Sequence, residues 1–120
     1  MKLYLPWPPS ELSPNERVYW RKKNPIKAAY REQCYHIALP KRGQIHQGLV
    51  RATILFHQPD NRGRDLDNCL SSSKAALDGV CRALGINDRH LRPVIIDWGM
   101  VKRGGEIELI LEPYKIDIVV

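Results

Sequence analysis

Residues 49–57 restrict the fold of this chain more than any other segment. Val50, Ala52, Ile54 and Phe56 alternate with Arg51, Thr53, Leu55 and His57. Successive side chains on a strand point to opposite faces, so this pattern predicts a strand with one strongly apolar face. Such a face has to be covered by another layer of structure. Two helical segments are available for that. Asn24-Pro25 reads as a helix start, a capping side chain followed by proline at the first helical position, and Pro40 stops the helix near Leu39. Ile26, Ala29, Tyr30, Cys34, Ile37 and Ala38 recur near the helical period and form its apolar face. A second helix is predicted over 67–84. Its buried stripe is Leu70, Ala76 or Leu77, Val80, Cys81 and Leu84, and Gly85 is its C-terminal cap.

Three shorter strands complete the pattern. One covers residues 2–5 and ends at Pro6-Trp7-Pro8-Pro9-Ser10, since proline has no donor for a sheet ladder. Residues 10–24 read as a loop. A strand over 93–101 and another over 106–111 flank Arg103-Gly104-Gly105, which reads as a hairpin turn. The order β-α-β-α-β-β predicts an α/β chain of the α+β kind: a single domain over 1–120, with a mixed sheet and two main helices. The 120 residues suit one domain.

The three cysteines, Cys34, Cys69 and Cys81, have no metal-ligand spacing and no even pairing. They are expected to be reduced thiols packed as small apolar residues. No charged-then-apolar leader opens the chain, and its apolar runs are far short of a bilayer span, which favours a cytoplasmic protein.

Lysine and arginine total 19 against 13 acidic residues, a formal charge of +6. That excess suits a polyanionic partner, and it makes any concentration of aspartates informative. Asp65 and Asp67 flank Leu66 where a loop becomes a helix. In an extended segment positions i and i+2 share a side, so both carboxylates can point into one pocket. Hard divalent cations such as Mg2+ take carboxylate oxygens together with waters and substrate phosphate. Arg62, Arg64 and Asn68 bracket the acids with groups that can hold a phosphate or orient a ligand oxygen. The plain alternative is helix capping by Asp and Asn. Asp67, Ser71, Lys74 and Asp78 form a polar stripe along a continuous helix. There Lys74 either pairs with Asp78 or reaches a scissile phosphate. Asp88 offers a third carboxylate just beyond the helix. Upstream, Arg17, Arg21, Lys22 and Lys23 interleave with Tyr19 and Trp20. Such a loop either grips a phosphate backbone and stacks on bases, or is a solvated loop with two aromatics folded onto the core.

At these residues the sequence resembles the RusA family of Holliday junction resolvases, found largely in prophages and phages. Arg64-Asp65-Leu66-Asp67-Asn68 resembles the family's central motif. Leu5-Pro6-Trp7-Pro8-Pro9-Ser10 is similar to its opening strand and turn, and Tyr30-Arg31 to a pair on its first helix. Asn87-Asp88 is similar to the turn after its second helix, and Gly104-Gly105 with Glu106-Ile107-Glu108-Leu109 to its final strands. The resemblance implies a RusA-like fold and a homodimer. The dimer would bind four-way junction DNA and cut two opposed strands with Mg2+ or Mn2+, leaving 5′-phosphates. It implies metal binding by Asp65, Asp67 and Asp88, with Asn68 and Arg64 matching the motif's asparagine and adjacent basic residue. No small-molecule cofactor and no membrane are expected. One position departs: the family's catalytic lysine comes earlier in the second helix, where this chain has Ser71, and the first lysine here is Lys74. A branch of the family carries it at this later place. For the dimer, Trp7, Trp98 and the tail Ile116-Asp117-Ile118-Val119-Val120 are candidate surfaces. Two other functions fit the same residues. One is a non-catalytic nucleic-acid-binding module with the aspartates as caps. The other is a metal-dependent nuclease of different DNA-structure specificity.

Overall fold

A computed structural model describes residues 1–45 and 48–115. The tail 116–120 lies outside the described residues. The elements in chain order are β1 (Lys2–Pro6), α1 (Trp20–Ala38), β2 (Leu49–His57), α2 (Leu66–Ser72), α3 (Lys74–Leu84), β3 (Leu91–Trp98) and β4 (Glu106–Tyr114). Short 3-10 turns occupy Ser10–Leu12, Leu39–Lys41 and Asp88–His90. The strands form one sheet of order β1-β4-β2-β3. β4 runs antiparallel to both β1 and β2, and β3 runs parallel to β2. This is the mixed sheet expected from the sequence. A parallel pair needs a long crossover, and α2 with α3 supply it.

The alternation in β2 resolves as expected. Val50, Ala52, Ile54 and Phe56 are buried, as are Leu3 and Leu5 on β1 and Ile107, Leu109 and Leu111 on β4. They form one core with Tyr30, Cys34 and Ala38 of α1 and Ala76, Val80, Ala83 and Leu84 of α3. The opposite face is wetter and carries cross-strand pairs, among them Arg51 with Glu112 and Lys2 with Glu108. Burial of an apolar side chain contributes about 1.5–3 kcal/mol, so the alternation of β2 and β4 decides which face the helices cover. All three cysteines are free and buried, as expected. Burial pushes the Cys34 thiol up to about 12 and the Cys81 thiol up to about 11. No helix among the described residues is long and apolar enough to cross a membrane.

Five sequence expectations are corrected. Helix α1 begins at Trp20, not at Asn24-Pro25, so Arg21, Lys22 and Lys23 are helical rather than in a loop. The Lys22 and Lys23 amides already bond to the Tyr19 carbonyl. Pro25 sits one turn in, where it forfeits a single backbone bond near the helix end. Ala29 and Ile37 are exposed. The buried line of α1 steps by four through Tyr30, Cys34 and Ala38, and these two lie beside it. The second helix is broken in two at Ser73, within Ser71-Ser72-Ser73. The Ser72 and Ser73 hydroxyls donate to the Asn68 and Cys69 carbonyls at 2.8 and 2.7 Å. Serines bonded back onto the preceding turn in this way bend or interrupt helices. β3 starts earlier and ends at Trp98 rather than Val101. It is an edge strand, and its register against β2 shifts beside Pro93, which has no N–H to give. Gly104 and Gly105 do turn, at φ +84° and +72°, but they do not join a hairpin, because β3 and β4 pair on opposite sides of β2. The connection instead crosses the His57 end of β2, held by Gly99 N–H to the Phe56 carbonyl at 3.0 Å and Lys102 N–H to the Gln58 carbonyl at 2.8 Å.

Helix α1 and the 3-10 turn that follows it are tied to the two ends of β1. The Tyr30 hydroxyl donates to the Pro6 carbonyl at 2.7 Å and the Lys41 ammonium to the Lys2 carbonyl at 2.9 Å. Tyr30 is buried, so Tyr30→Phe leaves the Pro6 carbonyl without its partner. It is expected to cost about 1–2 kcal/mol, read as a lower urea midpoint with unchanged slope.

Candidate active site

The loop after β2 carries the acidic motif to the end of the sheet where β1 stops. Arg64 anchors it. Its Nη1 donates to Asp60 Oδ1 at 2.8 Å and to Gln58 Oε1 at 3.1 Å, and its guanidinium lies 5.9 Å from the centre of the Trp7 ring. The Arg62 backbone N–H also donates to Asp60, at 3.0 Å. The Arg64 hydrogen bond, with the Arg62 N–H second, holds the Asp60 carboxyl down at about 2. Asp60 therefore keeps its charge until pH falls towards that value, and the clamp on Arg64 persists with it. Trp7 is seated in turn. It packs edge-on to Phe56 with ring centres 6.2 Å apart, and it lies against Gly105, where a Cβ would stand 2.7 Å from the ring. The positive φ and this close approach both require glycine there.

From this anchor Asp65 becomes the N-cap of α2. Its Oδ1 accepts from the Asp67 N–H at 3.0 Å, so the capping expectation holds for Asp65 and occupies one of its two oxygens. Asp67 follows in the first turn. Both carboxylates are exposed, and among the described residues neither forms an ion pair. In a chain of charge +6 this leaves two anionic groups uncompensated. Beside them opens a groove of about 680 Å³. Trp7, Pro8 and Pro9 line it. Ser10, Ser13, Asn15 and Glu16 also line it, with Arg62 to Asp65, Asn68, Cys69 and Ser72. Burial raises the Cys69 thiol, so it stays protonated at neutral pH and is no nucleophile.

The expected site residues do not all meet. Asp65, Asn68, Arg62 and Arg64 share the groove, and Asp67 lies next to it in sequence. Asp88 does not join them. It follows α3, which spans about 16 Å, and lies three residues before Leu91, the partner of Val50 at the opposite end of β2. Among the described residues no three His, Cys, Asp or Glu side chains lie close enough to hold one metal ion. Lys74 is exposed at the start of α3. The break at Ser73 removes the continuous face that aligned it with Asp67. Asp78 pairs not with Lys74 but with Arg31 at 3.8 Å and Arg82 at 3.3 Å. Arg17, Arg21, Lys22 and Lys23 cluster where the chain enters α1. Of the dimer candidates, Trp7 and Trp98 pack against the core and are half-buried.

No family model matches the chain. Curated relatives do. It is 36% identical over 118 residues to the crossover junction endodeoxyribonuclease RusA of Shigella sonnei, and 33% identical over 116 residues to that of Escherichia coli K12. Each alignment covers 88% of both chains. An uncharacterized Xylella fastidiosa protein is 34% identical over 113 residues, covering 88% of this chain and 71% of that one. The chain belongs to the RusA family. Among the groove residues that no local pattern assigned to the site are Trp7, read from sequence as part of the opening turn and as a dimer surface, and Asn15 and Ser72. A trace of Trp7 was the Pro-Trp-Pro-Pro turn, which is too rigid and too apolar for an ordinary solvated loop; Asn15 and Ser72 had none.

Proposed function

We propose that the protein is a metal-dependent DNA endonuclease that resolves four-way junctions as a homodimer. The observation that carries this is the pair of exposed, uncompensated carboxylates, Asp65 and Asp67, beside a groove lined by Arg62 and Arg64 in a basic chain related to crossover junction endodeoxyribonucleases. Their oxygens suit Mg2+ or Mn2+, which are bound elsewhere by one or two carboxylates with waters and phosphate. A divalent ion held there would supply Lewis acidity, activating water and offsetting charge on the phosphoryl oxygens. The chain's own groups do the rest. Asp65 presents its uncapped oxygen and Asp67 its full carboxylate. Arg62, only loosely paired with Asp60 at 3.9 Å, is free to hold a phosphate. Arg64, clamped, fixes the loop that aims Asp65. Lys74 offers a positive charge to the transition state from the start of α3.

The distance of Asp88 is a reason to read the protein as a dimer. β3 is an edge strand with Val94 and Ile95 each 44% exposed, one on either face of the sheet, an apolar edge that a second copy could cover. Two β3 strands paired antiparallel about a two-fold axis would bring the start of one beside the end of the other. The partner subunit's Asp88 would then approach the end of the sheet that carries Asp65 and Asp67. A two-fold enzyme also matches the two equivalent strands of a junction. The test is cleavage of a synthetic four-way junction in Mg2+ beside a linear duplex of the same arms. Paired nicks in the junction alone are expected. Tight binding without any cutting would point instead to a non-catalytic binding module.

A further inference from the structure

Tyr19 and Trp20 are 62% and 57% exposed, side by side where the chain enters α1. Their ring centres are 5.7 Å apart. The Arg21 guanidinium lies 5.2 Å from the Trp20 ring centre and 6.0 Å from that of Tyr19. The second sequence alternative, aromatics folded onto the core, therefore fails. Two large rings held in water forgo a substantial hydrophobic gain, and adjacent exposed apolar groups mark interaction surfaces. The surroundings say which kind. Arg17, Lys22 and Lys23 flank the rings, and among the described residues neither these three cations nor Arg21 is in an ion pair. Exposed aromatics backed by arginine within unpaired positive charge fit nucleobases on a phosphate backbone. The pair also follows closely on the groove along the chain. Glu16 lines the groove with Asp65, and three residues span at most about 11 Å.

We propose that Tyr19 and Trp20 form a stacking platform for an unpaired base at the branch point of the DNA, beside the groove that holds the strand to be cut. This rests on the DNA reading above. A paired base inside a duplex has both faces stacked and shows only its edges in the grooves. A ring platform therefore engages only a base released from its stack, and the branch point is where stacking is interrupted. Arg21 adds cation–π support from the protein side, and Lys22 and Lys23 take the flanking phosphates.

The test is the double variant Tyr19→Ala/Trp20→Ala. Both side chains are exposed, so the melting curve should not move. In metal-free buffer at fixed salt, affinity for oligothymidine is expected to fall about ten-fold or more. Affinity for duplex, held through phosphates, should stay within about two-fold. Cleavage of a fully paired junction should slow, and two unpaired nucleotides built into the branch point should restore it. Equal losses on single strand and duplex, or no loss on either, overturn the platform. So does a variant that sediments as monomer where the parent is a dimer, because the rings are then a subunit contact. A parent protein that binds oligothymidine through these rings yet cuts no junction overturns the nuclease reading and leaves the platform standing. Normal cutting by the parent with an unaffected double variant overturns the platform alone.

Discussion

Asp67→Asn is expected to abolish junction cleavage in Mg2+ while leaving junction binding intact. Asparagine has nearly the same shape, and Asp67 takes part in the cap of α2 only through its backbone N–H, which donates to Asp65 Oδ1. The substitution leaves that bond alone, so the fold and the groove should persist. What is lost is one of two carboxylates exposed beside the groove without a compensating cation. A carboxylate ligand contributes charge as well as an oxygen, and asparagine supplies only the oxygen. If metal-assisted hydrolysis is the chemistry, losing that contribution should cost several kcal/mol of transition-state stabilisation. That is roughly a thousand-fold or more in rate. Removing a negative charge near bound phosphate should hold binding steady or tighten it. The measurement is single-turnover cleavage in Mg2+, with binding followed in parallel by mobility shift without metal. A variant that cuts at near the parent rate would show that Asp67 does not serve the chemistry. A variant that loses binding and cleavage together would place it in DNA contact or folding instead.

The contrast between Asp67 and Asp88 shows what local pattern can carry. Strand β2 was legible to the residue because period-two alternation is imposed by the pleat itself; β4 begins at Glu106 as the same alternation indicated but runs on to Tyr114, beyond the Leu111 expected. The motif at Arg64 to Asn68 was legible because the change from loop to helix is marked by a capping aspartate. Sheet order was not. Gly104 and Gly105 have the conformation of a turn, yet which strands pair beyond it is set by the apolar faces of β2 and β4, far apart in sequence. The break at Ser73 could have been read, since three consecutive serines offer their hydroxyls to the preceding turn. Once that break is admitted, neither Lys74 nor Asp88 follows from counting along a helix. The groove depends on Trp7 meeting Gly105 and Arg64, contacts across 98 and 57 positions, and no periodicity spans such separations. The clamp of Arg64 by Asp60, four residues away, was within reach of a charge-pattern argument.

Gly79→Ala should lower the stability of the protein by about 2 kcal/mol or more, the opposite sign to the usual effect in a helix. At an ordinary exposed helical site alanine is favoured over glycine by about 1 kcal/mol. Gly79 is not such a site. A Cβ there would stand 2.3 Å from the Arg31 carbonyl oxygen and 3.1 Å from the Tyr35 nitrogen. These are backbone atoms of α1 and cannot rotate away, so the two helices must separate. Overpacking of this kind costs about 1–3 kcal/mol and occasionally more, and separation also loosens the buried contacts of Tyr30 and Cys34 with the core. For a chain of this size that corresponds to a fall in Tm of about 10 °C. Thermal and urea unfolding would measure it, and an unchanged or raised Tm would show that α1 and α3 can move apart freely. The consequence reaches function because of what the two helices carry. Helix α1 begins with Trp20 and Arg21, and α3 begins with Lys74 and leads to Asp88. Their close contact at Gly79 sets the height of one against the other, and so the position of the basic, aromatic end of α1 relative to the groove. Gly79→Ala protein assayed well below its Tm should therefore also cut more slowly, with Asp65 and Asp67 untouched. A loss that follows stability but spares the rate of the folded fraction would separate the two roles.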